Sequence, residues 1–283
     1  MTESHTITEE KQAAFLLWLR TEEKAQATIE KYGRDVRAFA GWLSGTEVTK
    51  DTAAEYKRHL LYEKGRAAAG VNGVIASLNA FFAFIRLDIK IKPLKIQKLT
   101  FRIKEKELTR KEYMNLLTAA KSKRNERLNL VIQTICSTGI RVSELEFITV
   151  EAVRSGVAEI TNKGKSRTVF LPKKLKPLLL SFANERGILA GCIFVTRSGR
   201  PLHRSNIWAD MKKICRAAGV EKSKVFPHNL RSLFAKLFYG LDRDVVKLAD
   251  ILGHSSVETT RIYLKESGET HRLMMDALGL VIA

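Results

Sequence analysis

The sequence predicts a mainly α protein in two lobes: an N-terminal four-helix domain over residues 1–88 and a larger, mostly helical domain over residues 108–283 with a small β-sheet. Three observations carry this. Apolar residues recur at three- and four-residue steps along most of the chain, the period of a helix buried on one side. That periodicity stops across residues 89–107, where lysines crowd together. A single pair of β-branched runs, in "GVAEITNKGKSRTVFLP" (156–172), brackets a polar turn containing glycine, the pattern of a β-hairpin.

In the first lobe, "ATIEKYGRDVRAFAGWLS" places Ile29, Tyr32, Val36, Phe39, Trp42 and Leu43 on one face and Lys31, Arg34 and Arg37 on the other. The segments 9–20, 51–64 and 70–86 repeat the theme, which makes a four-helix unit. Phe81, Phe82 and Phe84 are read as core. In "DIKIKPLKIQKLTFRIKEKE" (88–107) Pro93 blocks helix continuation, so residues 89–107 are an extended basic interdomain linker. Thr109 with Glu112 three residues on then has the spacing of a capping box and opens the second lobe.

Charge points to a partner. The chain has 283 residues, with 49 Lys plus Arg against 30 Asp plus Glu, a formal net charge of +19. Such a surplus repels itself and suits a polyanion, so DNA or RNA leads. No window approaches the roughly 18 apolar residues of a membrane span, and the N-terminus lacks a signal-peptide layout; the expectation is a cytoplasmic protein with no membrane partner. Cys136, Cys192 and Cys215 are scattered without CxxC spacing, against a disulfide framework or structural zinc.

Chemistry gathers late in the chain. "KVFPHNLRSLF" and "LADILGHSSVETTRIYLKES" hold His228, Arg231, His254 and Tyr263. Pro227 suits the first turn of a helix, which puts His228 and Arg231 on one face near its N-terminus. Gly253 ends a helix, and Ser255 with Glu258 has capping-box spacing, so His254 is presented from a tight turn. Upstream, "ICSTGIRVSELEF" sets Arg141 just after Gly139, with Glu144 one turn along to orient it; the plainer reading is an interhelical salt bridge. The hairpin turn projects Lys163 and Lys165. A metal fits poorly: the histidines lack HExxH or short H-x-H spacing, and Arg231 would oppose a cation. A phosphate fits the positive side chains better.

"TGIRVSEL", the hairpin lysine, "FPHNLR" and "LGHSSVETTRIY", behind a helical lobe and a basic linker, resemble the tyrosine recombinases, the phage integrase and Xer class of site-specific DNA strand-exchange enzymes. The resemblance covers nearly the whole chain, with its specific motifs within residues 138–263. It implies an N-terminal SAM-like core-binding domain and a C-terminal catalytic domain. It makes Tyr263 the nucleophile, Arg141 and Arg231 the clamp on the two non-bridging phosphate oxygens, and His228 a proton acceptor or hydrogen-bond partner. His254 would donate to the phosphate, Lys163 would be the general acid with Lys165 as fallback, and Glu144 would brace the site. One phosphodiester replaces another through a 3′-phosphotyrosyl intermediate and a Holliday junction, so no cofactor and no metal is implied. The implied partners are a double-stranded recombination site, three further copies in a homotetramer, and accessory DNA-bending proteins.

Ser232 stands where many relatives carry a second histidine, outside the core set. Leu273, Met274, Leu278 and Leu280 lie on a tail too short to bury them, which the resemblance reads as a helix exchanged between protomers; packing on its own domain is the alternative. With no arm-binding domain ahead of residue 1, the simpler Xer-like or transposon-encoded recombinases are favoured. The alternatives are a type IB topoisomerase-like nicking-closing enzyme, which shares the chemistry, and a non-catalytic DNA-binding protein.

Overall fold

The computed structural model describes residues 6–96, 107–162, 164–264 and 268–278, and the chain divides into two compact units, 1–98 and 99–283. In the first unit α1 (Glu9–Thr21) opens where Thr8 Oγ1 accepts the Lys11 N–H at 3.2 Å. It is followed by α2 (Gln26–Leu43), by α3 (Lys50–Arg58), which runs on into a π-helical turn (His59–Glu63), and by α4 (Ala68–Phe84). Phe15, Phe39, Phe81 and Phe82 are fully buried between these helices. Phe15 meets Phe81 edge-on at 5.2 Å and Phe39 meets Tyr56 at 4.9 Å, so the aromatic residues fill the core as the sequence reading expects.

Two details of this unit differ from the periodicity reading. Lys31 does not simply face outward: its ammonium donates to Asp35 Oδ2 (2.7 Å), to the Gly73 carbonyl (2.7 Å) and to Ser77 Oγ (2.9 Å), joining α2 to α4. Asp35 and Ser77 are buried and need such partners. Residues 89–96 are extended, as expected, yet they are fastened rather than free. Asn79 exchanges two hydrogen bonds with the Ile91 backbone (2.8 and 3.0 Å), and Asn72 does the same for Leu94 (2.7 and 2.9 Å). The two asparagines are seven residues apart, two turns along one face of α4, and each stands in for the backbone partner an extended chain lacks. Residues 97–106 of the expected linker lie outside the described residues.

In the second unit the Thr109–Glu112 capping box forms (3.1 and 2.8 Å) and starts α5 (Arg110–Ser122). Next come α6 (Glu126–Thr138), a 3-10 turn (Val142–Phe147) and α7 (Val150–Ser155). Strands β1 (Val157–Asn162) and β2 (Lys165–Phe170) pair antiparallel as the predicted hairpin, with Asn162 opposite Lys165 and Gly164 at φ 73°. Then follow α8 (Leu175–Glu185), α9 (Arg204–Ala218), α10 (Pro227–Asp242), α11 (Val245–Leu252), α12 (Val257–Leu264) and α13 (Gly268–Ala277).

The buried α6, with Ile132 and Ile135 fully enclosed, is the hub against which α5, α8, α9 and α10 pack. A smaller cluster of Ala235, Leu248, Leu252 and Tyr263 ties α10, α11 and α12 together. On α13 and just beyond it, Leu273, Met274, Met275 and Leu278 are exposed, while Leu280 lies outside the described residues. Among the described residues no helix is long and apolar enough to cross a membrane.

Candidate active site

Helix ends build the site. Gly139 closes α6 at φ 68°, where a Cβ would overlap the Phe234 ring, and the chain turns at once into Arg141. Glu144, 1% exposed, accepts the Arg141 backbone N–H on Oε2 (2.7 Å) and the Arg141 guanidinium on Oε1 (2.8 Å), the orienting contact its spacing predicts. Arg141 Nη2 also donates to the Gly253 carbonyl at 3.2 Å.

Pro227 occupies the first turn of α10, as expected, and one turn on stands Arg231, 3% exposed. Its guanidinium donates to the carbonyls of Gly139 and Leu252 (2.6 Å to the latter) and to Nε2 of His254 (2.9 Å), and its charge acts on the Tyr263 hydroxyl. Gly253, at φ 64°, ends α11 and turns His254 into the site. The cap of α12 falls on Ser256, whose Oγ accepts the Glu258 N–H at 3.2 Å, one residue later than the Ser255 spacing suggests. Residues 253–255 are used up in reversing the chain.

Tyr263, 5% exposed, lies between the two histidines. Its ring is stacked on His254 (5.6 Å between centroids, 7° between planes) and tilted against His228 (5.3 Å). An arginine only donates, so His254 Nε2 is the acceptor of the Arg231 bond and the ring proton sits on Nδ1, donated to Thr260 Oγ1 at 2.7 Å. Burial, and then chiefly the charges of Arg231, Arg141 and Arg167, hold the His254 pKa down to about 4, so the imidazole is neutral at pH 7. Burial likewise brings Arg231 down to about 10, and it stays charged at neutral pH. For Glu144, burial favours protonation, but the hydrogen bonds from Arg141 and the charges of Arg167 and Arg141 outweigh it and hold the carboxyl below its ordinary value.

Five of the six expected catalytic residues, Arg141, His228, Arg231, His254 and Tyr263, thus fall within one network with Glu144 at its base. Lys163 lies outside the described residues, and for Lys165 the backbone places it at the start of β2. The sequence reading missed two members. Arg167 of β2 forms an ion pair with Glu144 Oε2 (2.6 Å) and donates to the Ile251 carbonyl. Thr260, fully buried, holds His254. A signal for Arg167 existed: strand alternation puts it on the same face as buried Val169 and Leu171. Among the described residues no group of three or more His, Cys, Asp or Glu side chains could hold a metal; the positive charge here is carried by guanidinium groups.

Residues 106–269 match the phage integrase family. The chain is 30% identical to the tyrosine recombinase XerA of Thermococcus kodakarensis, over 99% of this chain and 98% of that protein. It is 29% identical to the tyrosine recombinase XerD of Halalkalibacterium halodurans, over 83% and 86%. Among solved structures, lambda integrase as a dimer bound to a COC′ core site superposes with a TM-score of 0.73 at 19% identity, covering 92% of this chain and 96% of that one. XerH in a post-cleavage complex with a palindromic difH substrate gives 0.72 at 21%, covering 98% and 90%. The chain belongs to the phage integrase family and, with it, to the tyrosine-type DNA breaking and rejoining enzymes.

Proposed function

We propose that this protein is a site-specific DNA recombinase in which Tyr263 attacks the scissile phosphate, leaving a 3′-phosphotyrosyl link and a free 5′-hydroxyl. The observation that carries this reading is the Tyr263 ring held between His228 and His254, with the buried cation Arg231 bonded to His254 Nε2. A phenol ordinarily titrates near pKa ~10, so attack at neutral pH needs positive charge at the oxygen and an acceptor for the proton. Arg231 supplies the first and His228 the second. Arg141 and Arg231 take the non-bridging oxygens of the pentacoordinate phosphorane, where each well-aimed donor is worth about 3–4 kcal/mol. His254 adds a hydrogen bond, Glu144 keeps Arg141 aimed, and Lys163, or Lys165 in its place, protonates the departing 5′-oxygen. The 5′-hydroxyl of a partner duplex then reverses the step, and two exchanges through a Holliday junction complete recombination.

The partner is a double-stranded site gripped by the helical 1–88 domain, the basic 89–107 linker and the 108–283 catalytic domain, in the cytoplasm. A homotetramer follows the precedent of lambda integrase, solved as a tetramer on a Holliday junction, and exchange of the α13 tail between copies suits the exposed Leu273, Met274 and Leu278. Integration and excision of a mobile element, transposon resolution and chromosome-dimer resolution are the roles this chemistry serves, with DNA-bending proteins as accessories.

The test is a nicked suicide duplex bearing sequence that flanks the encoding gene or element, incubated in EDTA without ATP. Wild type should form a denaturation-resistant adduct and Tyr263→Phe none. An adduct in the Phe variant, or salt-sensitive binding with no adduct from wild type, would overturn the assignment.

A further inference from the structure

We infer that Arg167 is a positioning residue for leaving-group protonation: it clamps the hairpin that carries Lys163 and Lys165 to the two turns that carry the phosphate-binding groups. The inference rests on the recombinase reading above. Arg167 sits on β2 two residues after Lys165, and its guanidinium bridges two separate places. Nη2 pairs with Glu144 Oε2 at 2.6 Å, beside Arg141, and Nη1 donates to the Ile251 carbonyl in the last turn of α11. Its aliphatic stem lies against Gly253, where any Cβ would overlap it. A strand residue therefore spans from the hairpin to both the Arg141 turn and the His254 turn.

Arg141 does not depend on this contact for its own aim. It keeps its guanidinium on Glu144 Oε1, its backbone N–H on Oε2 and its Nη2 on Gly253, all without Arg167. The hairpin, by contrast, gains through Arg167 a charged link to elements 23 and 84 residues away in sequence. Loss of Arg167 should loosen the hairpin and leave the arginines in place. That isolates one chemical step: Tyr263 O–P forms, P–O5′ breaks, and the departing alkoxide takes a proton from a hairpin lysine. A proton donor at that point contributes on the order of 10²–10⁴-fold.

The experiment replaces the bridging 5′-oxygen with sulfur. When the P–S bond breaks, the leaving thiolate, with a pKa of ~8.5 as a thiol, departs without a proton donor. Wild type, Arg167→Ala, Arg167→Lys, Lys163→Ala, Lys165→Ala and Tyr263→Phe are each given the nicked suicide duplex in its ordinary and 5′-bridging phosphorothiolate forms, with adduct formation followed over time. Thermal melting and non-covalent binding at matched salt show which variants are folded.

The expected result is that Arg167→Ala slows on the ordinary duplex by at least about 10² and recovers to within a few-fold of wild type on the phosphorothiolate, as the acid lysine's variant does. Arg167→Lys keeps the charge without the two-sided fork, so it should follow the same pattern more mildly. Equal loss on both substrates, no loss on either, or failure of the sulfur substrate to rescue both lysine variants overturns the inference. If Arg167→Ala does not fold, Arg167→Lys decides by the same criterion. Absence of any adduct from wild type would instead count against the recombinase reading itself.

Discussion

Replacing Glu144 with glutamine removes the one carboxylate buried beneath the arginines while keeping its shape. Three donors converge on it: the Arg141 N–H at 2.7 Å, the Arg141 guanidinium at 2.8 Å and Arg167 at 2.6 Å. Truncating one side of a buried charge pair costs about 3–5 kcal/mol, because the remaining charge is stranded. The Arg141 side chain is 38% exposed and can return to water, so its share is small, whereas Arg167 at 14% cannot. The amide also keeps one carbonyl acceptor, which puts the expected loss for Glu144→Gln at the lower end, about 3 kcal/mol. For a unit of this size that is a fall of about 6–12 °C in melting temperature at pH 7, measured by calorimetry. The carboxyl titrates below its ordinary value in the fold, so its contribution is complete above the unfolded value of 4.5 and is lost as pH falls through the folded one. The gap between wild type and variant should therefore be constant from pH 8 to 5 and narrow on further acidification. Equal melting at pH 7, or a gap that acid does not narrow, would refute the account of Glu144 as a buried counter-charge.

Two further outcomes follow from single contacts. Thr260→Val strands the His254 Nδ1–H, a loss of about 1–3 kcal/mol that should slow adduct formation by roughly 5- to 160-fold, while Thr260→Ser stays near wild type; a Val variant at full rate would remove Thr260 from the site. Gly139→Ala forces a side chain into left-handed backbone and into the Phe234 ring, and urea titration should show a loss of about 2–4 kcal/mol with unchanged slope. Gly164→Ala is the control: its φ of 73° is just as left-handed but nothing lies within 4 Å, so it should lose only about 1 kcal/mol.

Much of the site could be read directly from short-range signals. Thr109 with Glu112, Gly139 and Gly253 at helix ends, Pro227 at a helix start and Glu144 one turn from Arg141 are local devices, and local spacing reports them faithfully. What stayed hidden depends on distance in sequence. Arg167 finds Ile251 across 84 residues; alternation in "KGKSRTVF" sets it on the face of Val169 but cannot name the partner it meets there. The period of α2 puts Lys31 on an outer face, but its partners Gly73 and Ser77 belong to another helix. The strap of residues 89–96 looks like a spacer until Asn72 and Asn79, themselves unremarkable on a helix, are seen to grip it.

Arg231 is a buried cation whose hydrogen bonds in the described site go to two backbone carbonyls and a neutral imidazole, none of them a carboxylate. Leu252 is the last residue of α11 and Gly139 caps the end of α6, and each helix end carries roughly half a negative charge from its aligned peptide dipoles. Together the two ends neutralise about one guanidinium without placing an anion beside it. A phosphate diester reaching Arg231 therefore has no carboxylate hydrogen-bonded there to displace, and Glu144, whose charge also acts on Arg231, is engaged by Arg141 and Arg167. Part of the countercharge to Arg231 is thus stored in the backbone, where it cannot be titrated away.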